Sequence, residues 1–237
     1  MKVSLFITCM CDMFSPEVGK DTYELLEKVG CTVDFPESQT CCGQPAFNSG
    51  YLEESKKGMI QMMKAFEKSE YIVGPSGSCV GMLREYPKIF KDDPKWEALA
   101  IETAEKSFEI TQFLVEVVQV TDLQSSFKGR VTYHPSCHMT RILGVKDAPK
   151  ILMEQVPGLE LIELKNQESC CGFGGTFSVK NAVISREMVT EKSAHISDTK
   201  AEYLVGGDMG CLMNIGGRMK REGKRVKVAH ITEILNQ

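Results

Sequence analysis

Eight of the ten cysteines in this 237-residue chain occur twice in the same order. The first set is Cys9, then Cys41-Cys42-Gly43, then Cys79; the second is Cys137, then Cys170-Cys171-Gly172, then Cys211. Matched positions lie 128, 129, 129 and 132 residues apart, so only small loop changes separate the copies. The flanks repeat as well. Tyr71-Ile72-Val73-Gly74 precedes Cys79 as Tyr203-Leu204-Val205-Gly206 precedes Cys211, and residues 2–7 match residues 130–134. Ile110-Thr111-Gln112-Phe113-Leu114 resembles His230-Ile231-Thr232-Glu233-Ile234. An internal duplication constrains the fold more than any local propensity, because both copies must build the same supersecondary unit.

Within each copy, short apolar β-rich runs alternate with helical spacing. Strands are expected at 2–8, 32–35 and 71–76, and again at 130–134, 159–164 and 203–207, with a final strand near His230. Helices are expected at 17–30, 51–69, 80–90 and 97–120, then at 145–156, 178–200 and 211–222. Met59, Met62, Met63 and Phe66 fall at helical spacing on one face, which reads as core packing rather than a cofactor box. The expected fold class is α/β: two tandem, pseudo-repeated βα domains, each a short parallel sheet flanked by helices. The polar connection over 121–129 places the division at 1–125 and 126–237.

Composition sets the broad class. With 42% hydrophobic and 25% charged residues the chain can build a core, which excludes disorder as its main state. A net charge of −4 speaks against a general nucleic-acid binder. No run is long and apolar enough to span a bilayer, and the short apolar N-terminus, interrupted by Asp12, lacks the pattern of a secretory leader. A cytoplasmic protein is expected. In that reducing compartment, ten cysteines point to metal or redox chemistry rather than a disulfide scaffold.

The expected topology gathers the thiols. Cys9 and Cys137 each end a strand at its carboxyl end, while Cys79 and Cys211 follow a strand and begin a helix. Ligands of open α/β sheets bind beyond the carboxyl ends of the strands, and a helix N-terminus favours thiolate. Gly43, Gly172, Gly174 and Gly175 would let backbone N–H groups approach the sulfurs. Consecutive α-carbons are about 3.8 Å apart, too close for an unstrained disulfide between adjacent cysteines. Zinc sites commonly use a longer spacing, so that both sulfurs reach one ion. Four thiols per half, two of them adjacent, fit an iron–sulfur cluster better, since neighbouring thiolates can bind different irons.

Both sets resemble the duplicated cysteine-rich CCG domain of heterodisulfide reductase B subunits and glycolate oxidase iron–sulfur subunits. The likeness extends to Cys41-Cys42-Gly43-Gln44-Pro45, His134-Pro135-Ser136-Cys137-His138 and Cys170-Cys171-Gly172-Phe173-Gly174-Gly175-Thr176-Phe177, and it covers the whole chain. The resemblance implies one or two iron–sulfur clusters, of four-iron type, held by Cys9, Cys41, Cys42 and Cys79 and by Cys137, Cys170, Cys171 and Cys211. It also implies an electron-transfer subunit of a system that oxidises L-lactate to pyruvate, acting with two partner proteins, one of them ferredoxin-like. The fuller family pattern ends in Cys-x-x-Cys, where this chain has Met82 and Asn214. An ordinary four-iron cluster, a cluster with a non-cysteine ligand, and loss of metal from one half therefore stay open.

His134 and His138 bracket Cys137 and are candidate ligands or hydrogen-bond donors to a cofactor, with structural roles as the alternative. Structural roles are expected for His195, His230 and Cys31, and Cys11 is expected to stand outside the set. The basic run from Arg218 to Lys227 reads as a solvated face. No dinucleotide fingerprint is present, so hydride transfer by this chain alone has no sequence support. The rival readings are a zinc- or thiol-containing scaffold and a thiol–disulfide oxidoreductase.

Overall fold

The computed structural model describes residues 1–237. In the first half, β1 (Lys2–Leu5) leads through α1 (Cys9–Phe14) and α2 (Pro16–Lys28) to β2 (Thr32–Asp34). Next come α3 (Gln44–Phe47), α4 (Leu52–Ala65), β3 (Tyr71–Gly74), α5 (Gly77–Ile89), α6 (Glu97–Glu105) and β4 (Ser107–Glu109). The one-turn α7 (Ile110–Gln112) and a π-helical segment, Phe113–Val118, lead into the second half. There β5 (Gly129–His134), α8 (Cys137–Arg141), α9 (Ala148–Glu154) and β6 (Leu159–Ile162) come first. They are followed by α10 (Phe177–Lys180), α11 (Ala182–Asp198), β7 (Tyr203–Gly206), α12 (Met209–Arg221), β8 (Lys227–His230) and α13 (Ile231–Leu235).

The strands form two four-stranded sheets, ordered β2-β1-β3-β4 and β6-β5-β7-β8, with every pairing parallel. The expected α/β class of two tandem βα domains is what the chain adopts. Register repeats with the sequence: Val3 faces Val33 and Tyr71, as its counterpart Val131 faces Leu161 and Tyr203. In each sheet the chain leaves its first strand to one side and then crosses back to the other. That topological switch point, between β1 and β3 and between β5 and β7, opens a crevice at the carboxyl ends of the strands.

The central strands β1, β3, β5 and β7 are largely buried because helices cover both faces of each sheet. One core is common to the two halves: Val3, Leu5 and Val73 join Val131, Tyr133 and Val205, with Leu25, Phe113, Met153 and Ile234 from the helices between. A second core lies on the outer face of the first sheet. It contains Phe6 and the Met59, Met62, Met63 and Phe66 stripe, all fully buried as the spacing implied. The third core, around Val189, Ile196, Leu204, Leu212 and Ile215, is its counterpart in the second half.

The structure corrects several expected elements. The helix expected over 97–120 is broken by β4, which pairs with β3, and by a new helix start at Glu109. The Glu109 carboxylate accepts from the Thr111 and Gln112 N–H groups at 2.8 and 3.2 Å, capping α7. Periodicity is blind to this break because the flanks are good helix formers; pairing at the sheet edge wins locally. β1 stops at Leu5 rather than residue 8, so Cys9 starts α1 instead of ending a strand, and Cys137 likewise starts α8. The helix expected over 178–200 is divided at Asn181 into α10 and α11.

Candidate metal centres

In the first half, β1 and β3 flank the switch point and deliver Cys9 and Cys79 to the same crevice. Cys41 and Cys42 arrive on the long connection between β2 and α3. Gly43, at φ 87°, turns the chain left-handed into α3, and its carbonyl accepts the Ser55 hydroxyl at 2.8 Å. A Cβ on Gly43 would lie 2.8 Å from that hydroxyl oxygen. Tyr86 of α5 donates to the Cys42 carbonyl at 2.8 Å. With the loop so fixed, Cys9 Sγ stands 4.0 Å from Cys41 Sγ, and Cys42 bridges electrostatically to both Cys41 and Cys79.

These four thiols line a cavity of about 240 Å³ whose opposite wall belongs to the second half: Phe173, Gly175, Thr176, Val179, Asp208 and Met209. The wall is fastened by polar contacts. Asp208 occupies the N-cap position of α12 yet caps the other half's helix, accepting from the Ser78 N–H at 3.0 Å and the Ser76 hydroxyl at 3.2 Å. The Gly77 N–H donates to the Gly207 carbonyl at 3.2 Å, and Ser49 pairs with Thr176. His230, whose ring caps α13 through Thr232, reaches the Pro75 carbonyl at 3.0 Å.

The second half repeats the construction. Cys137 and Cys211 follow β5 and β7. Gly172, at φ 80°, leaves no room for a Cβ, which would lie 2.8 Å from the Ser185 carbonyl, and its own carbonyl accepts the Ser185 hydroxyl at 2.8 Å. Cys137 and Cys170 sulfurs are 4.0 Å apart, and those of Cys171 and Cys211 are 3.1 Å apart. The Gly172 N–H approaches Cys170 Sγ at 3.4 Å and the Phe173 N–H approaches Cys171 Sγ at 3.5 Å. His138 Nδ1 is 3.5 Å from Cys137 Sγ. His134, at the end of β5, is 1% exposed, and neither ring nitrogen has a hydrogen-bond partner.

Electrostatics tell what such a set demands. The S–H groups of Cys42 and Cys9 donate toward Cys41 and pull its thiol down to about 3. Cys9 and Cys42 are pushed well up, first because each donates to Cys41. Cys170 is pulled down to about 2 by Cys137 and Cys171, which rise in turn. Each set thus favours thiolate at the first cysteine of its Cys-Cys pair, which two neighbouring S–H groups stabilise. Full ionisation of four crowded thiols requires cations among them, and the donor set therefore fits a metal ion or a metal–sulfur cluster. All ten cysteines are free thiols.

Several side chains with a part in these centres were not singled out by sequence pattern: Asp208, Tyr86 and Lys192. Lys192 is fully buried on α11, donates to the Asn166 and Gln167 carbonyls at 3.0 and 3.1 Å, and lends positive potential to Cys171 and Cys170. The two positions where the fuller pattern has cysteine serve other ends: Met82 packs in the outer core, and Asn214 donates to the Cys171 carbonyl at 2.8 Å. Gly175 lines the first half's cavity rather than its own half's thiols, and Gly174, at φ 52°, turns the chain toward it. Cys31 packs in the shared core and Cys11 is buried on α1, its thiol pushed up to about 12 by burial.

The chain belongs to the cysteine-rich CCG domain family, whose model matches residues 3–84 and again 131–216. Among curated proteins, it is 73% identical over 236 residues to the lactate utilization protein A of Oceanobacillus iheyensis, covering 100% of this chain and 97% of that one. The lactate utilization protein A of Geobacillus kaustophilus is 62% identical over 236 residues, covering 100% of this chain and 99% of that protein. No helix is long and apolar enough to cross a membrane.

Proposed function

We propose that this chain is an iron–sulfur electron-transfer subunit of a cytoplasmic multi-protein system that oxidises L-lactate to pyruvate. Two units, residues 1–125 and 126–237, would each hold one cluster of four-iron type. Cys9, Cys41, Cys42 and Cys79 would bind the first, and Cys137, Cys170, Cys171 and Cys211 the second. The observation that carries the reading is the repeated convergence of four thiols on a switch-point crevice, at sulfur separations of 4.0 Å in both halves. The names of the full-length relatives support the pathway.

Oxidising lactate to pyruvate releases two electrons and two protons. A bound iron–sulfur cluster supplies a one-electron acceptor and donor in a fixed place. The chain's own groups would do the rest. Backbone N–H groups of Gly172 and Phe173 offset sulfur charge in the second set, and Phe173 and Met209 present an apolar wall to the first. Electrons would arrive from one partner subunit and leave through another, one of the two being ferredoxin-like.

Anaerobic purification with iron and acid-labile sulfide analysis tests this. About four to eight irons per chain with matching sulfide, and visible absorbance bleached by dithionite, are expected. Cys42→Ala and Cys171→Ala should each remove the iron of one half. Iron-free protein that resists anaerobic reconstitution would overturn the reading; tightly bound zinc in its place would favour a scaffold. That second reading draws on the compact His134, Cys171 and Cys211 donor atoms.

A further inference from the structure

The two halves, alike in their thiols, differ in what surrounds them. Alignment of the repeats puts His134 where the first half has Phe6, three residues before the leading cysteine in both. Phe6 is wholly buried and packs edge-to-face on Phe66 at 5.9 Å, an apolar neighbour for the first set. His134 is as deeply buried, yet both ring nitrogens lack partners. An imidazole buried without a single hydrogen bond forfeits the bonds it would make to water, so such a ring needs a function or a missing partner.

Its surroundings supply the partner. A ring nitrogen of His134 and the sulfurs of Cys171 and Cys211 all lie within 4.8 Å of one another, and no other three His, Cys, Asp or Glu donors in the chain do so. Bonds of about 2.0–2.3 Å to one ion would hold N and S donors roughly 3.5–3.8 Å apart, within reach of small side-chain shifts.

Two further exchanges run the same way. Lys192 stands where the first half has Met62, and Asn214 where it has Met82. The second half thus surrounds its thiols with an imidazole, a cation and an amide, and the first half with Phe6 and two thioethers. We infer that His134 is a metal ligand of the second half, joining Cys171 and Cys211 to make a mixed imidazole–thiolate centre, while the first half's centre is bound by thiolates alone. The donor lost with the absent fifth cysteine is replaced in one half only. This inference deepens the metal-binding reading above and rests on it. Replacing thiolate by imidazole, beside a buried cation, lowers the negative charge at the metal and raises its potential relative to an all-thiolate site.

The test uses the full chain purified anaerobically, with metal content and X-ray absorption at the edge of the metal found. Cys42→Ser empties the first half and leaves the second to be read alone. In that background we expect a nitrogen scatterer at about 2.0–2.1 Å beside sulfur at about 2.3 Å. His134→Phe, which restores the first half's residue, should abolish the nitrogen shell, and His134→Cys should exchange it for sulfur with metal retained. A sulfur-only shell in the Cys42→Ser protein, or a nitrogen shell that survives His134→Phe, would overturn the assignment while leaving metal binding intact. Loss of all metal on Cys42→Ser alone would also overturn it, since the second half would then hold no centre of its own. Wild-type protein without any metal would instead overturn the broader reading.

Discussion

Single residues set the geometry of each Cys-Cys-Gly loop. Tyr86 donates to the Cys42 carbonyl from a side chain that is fully buried, so Tyr86→Phe leaves that carbonyl unsatisfied. The expected loss is about 1–2 kcal/mol in unfolding free energy, read as a lower urea midpoint with unchanged slope. A midpoint equal to wild type would remove the hydroxyl from the account. Glu109 offers a pH test. Burial pushes its carboxyl up from 4.5 to about 7, against the hydrogen bonds from Thr111 and Gln112 that hold it down. A carboxyl whose folded pKa is raised keeps its proton in the native state after the unfolded chain has lost its own. Stability from this group is therefore fully present below about pH 4.5, falls as pH rises to about 7, and is flat above. Glu109→Gln keeps the capping acceptor and should flatten that fall, which is on the order of 3 kcal/mol in wild type. Denaturation curves between pH 4.5 and 8 that overlay for both proteins would contradict it.

At the scale of elements, the crevice depends on how closely the central strands run at their carboxyl ends. Gly74 closes β3, and a Cβ there would lie 2.9 Å from the Phe6 carbonyl oxygen and 3.0 Å from its ring. Gly74→Ala must push β1 and β3 apart just ahead of Cys9 and Cys79. We expect a destabilisation of about 1–3 kcal/mol and preferential loss of first-half metal, with second-half metal kept. Equal loss from both halves, measured as metal per chain, would show that the two crevices are not shaped separately. The order of the longer strands and helices and the sites of the Cys-Cys-Gly loops were legible in the sequence, because the repeat gives two independent copies of one βα pattern. β4 was not legible. Ser107–Glu109 is a three-residue edge strand between good helix formers, and its extended state follows from pairing with β3. The same holds for Cys9 and Cys137, which sequence reading put on strand ends and the structure puts on short helices.

The whole molecule is not two beads on a string. One core spans both sheets, and the cavity of the first thiol set is closed by residues some 130 positions further along. Asp208 is the main polar fastener, capping α5 from the start of α12. Asp208→Ala should cost about 1–3 kcal/mol and loosen that wall. The sensitive readout is alkylation of the metal-free protein: Cys9, Cys41 and Cys79 should label faster, while Cys31, in the shared core, should not. Uniform acceleration at every cysteine would mean global unfolding instead.

By itself, the sequence determined the duplication, the α/β class and the eight paired thiols. All of these follow from spacing and periodicity, which a linear chain displays directly. Only the tertiary structure decided that the second half walls the first half's cavity, that Asp208 caps the wrong helix for its position, and that His134 and Lys192 flank Cys171. Those facts rest on burial and on contacts between residues far apart in the chain. A charged or imidazole side chain on an apolar strand or helix has no periodic signature to say whether its partner is solvent, backbone or metal; packing alone assigns it.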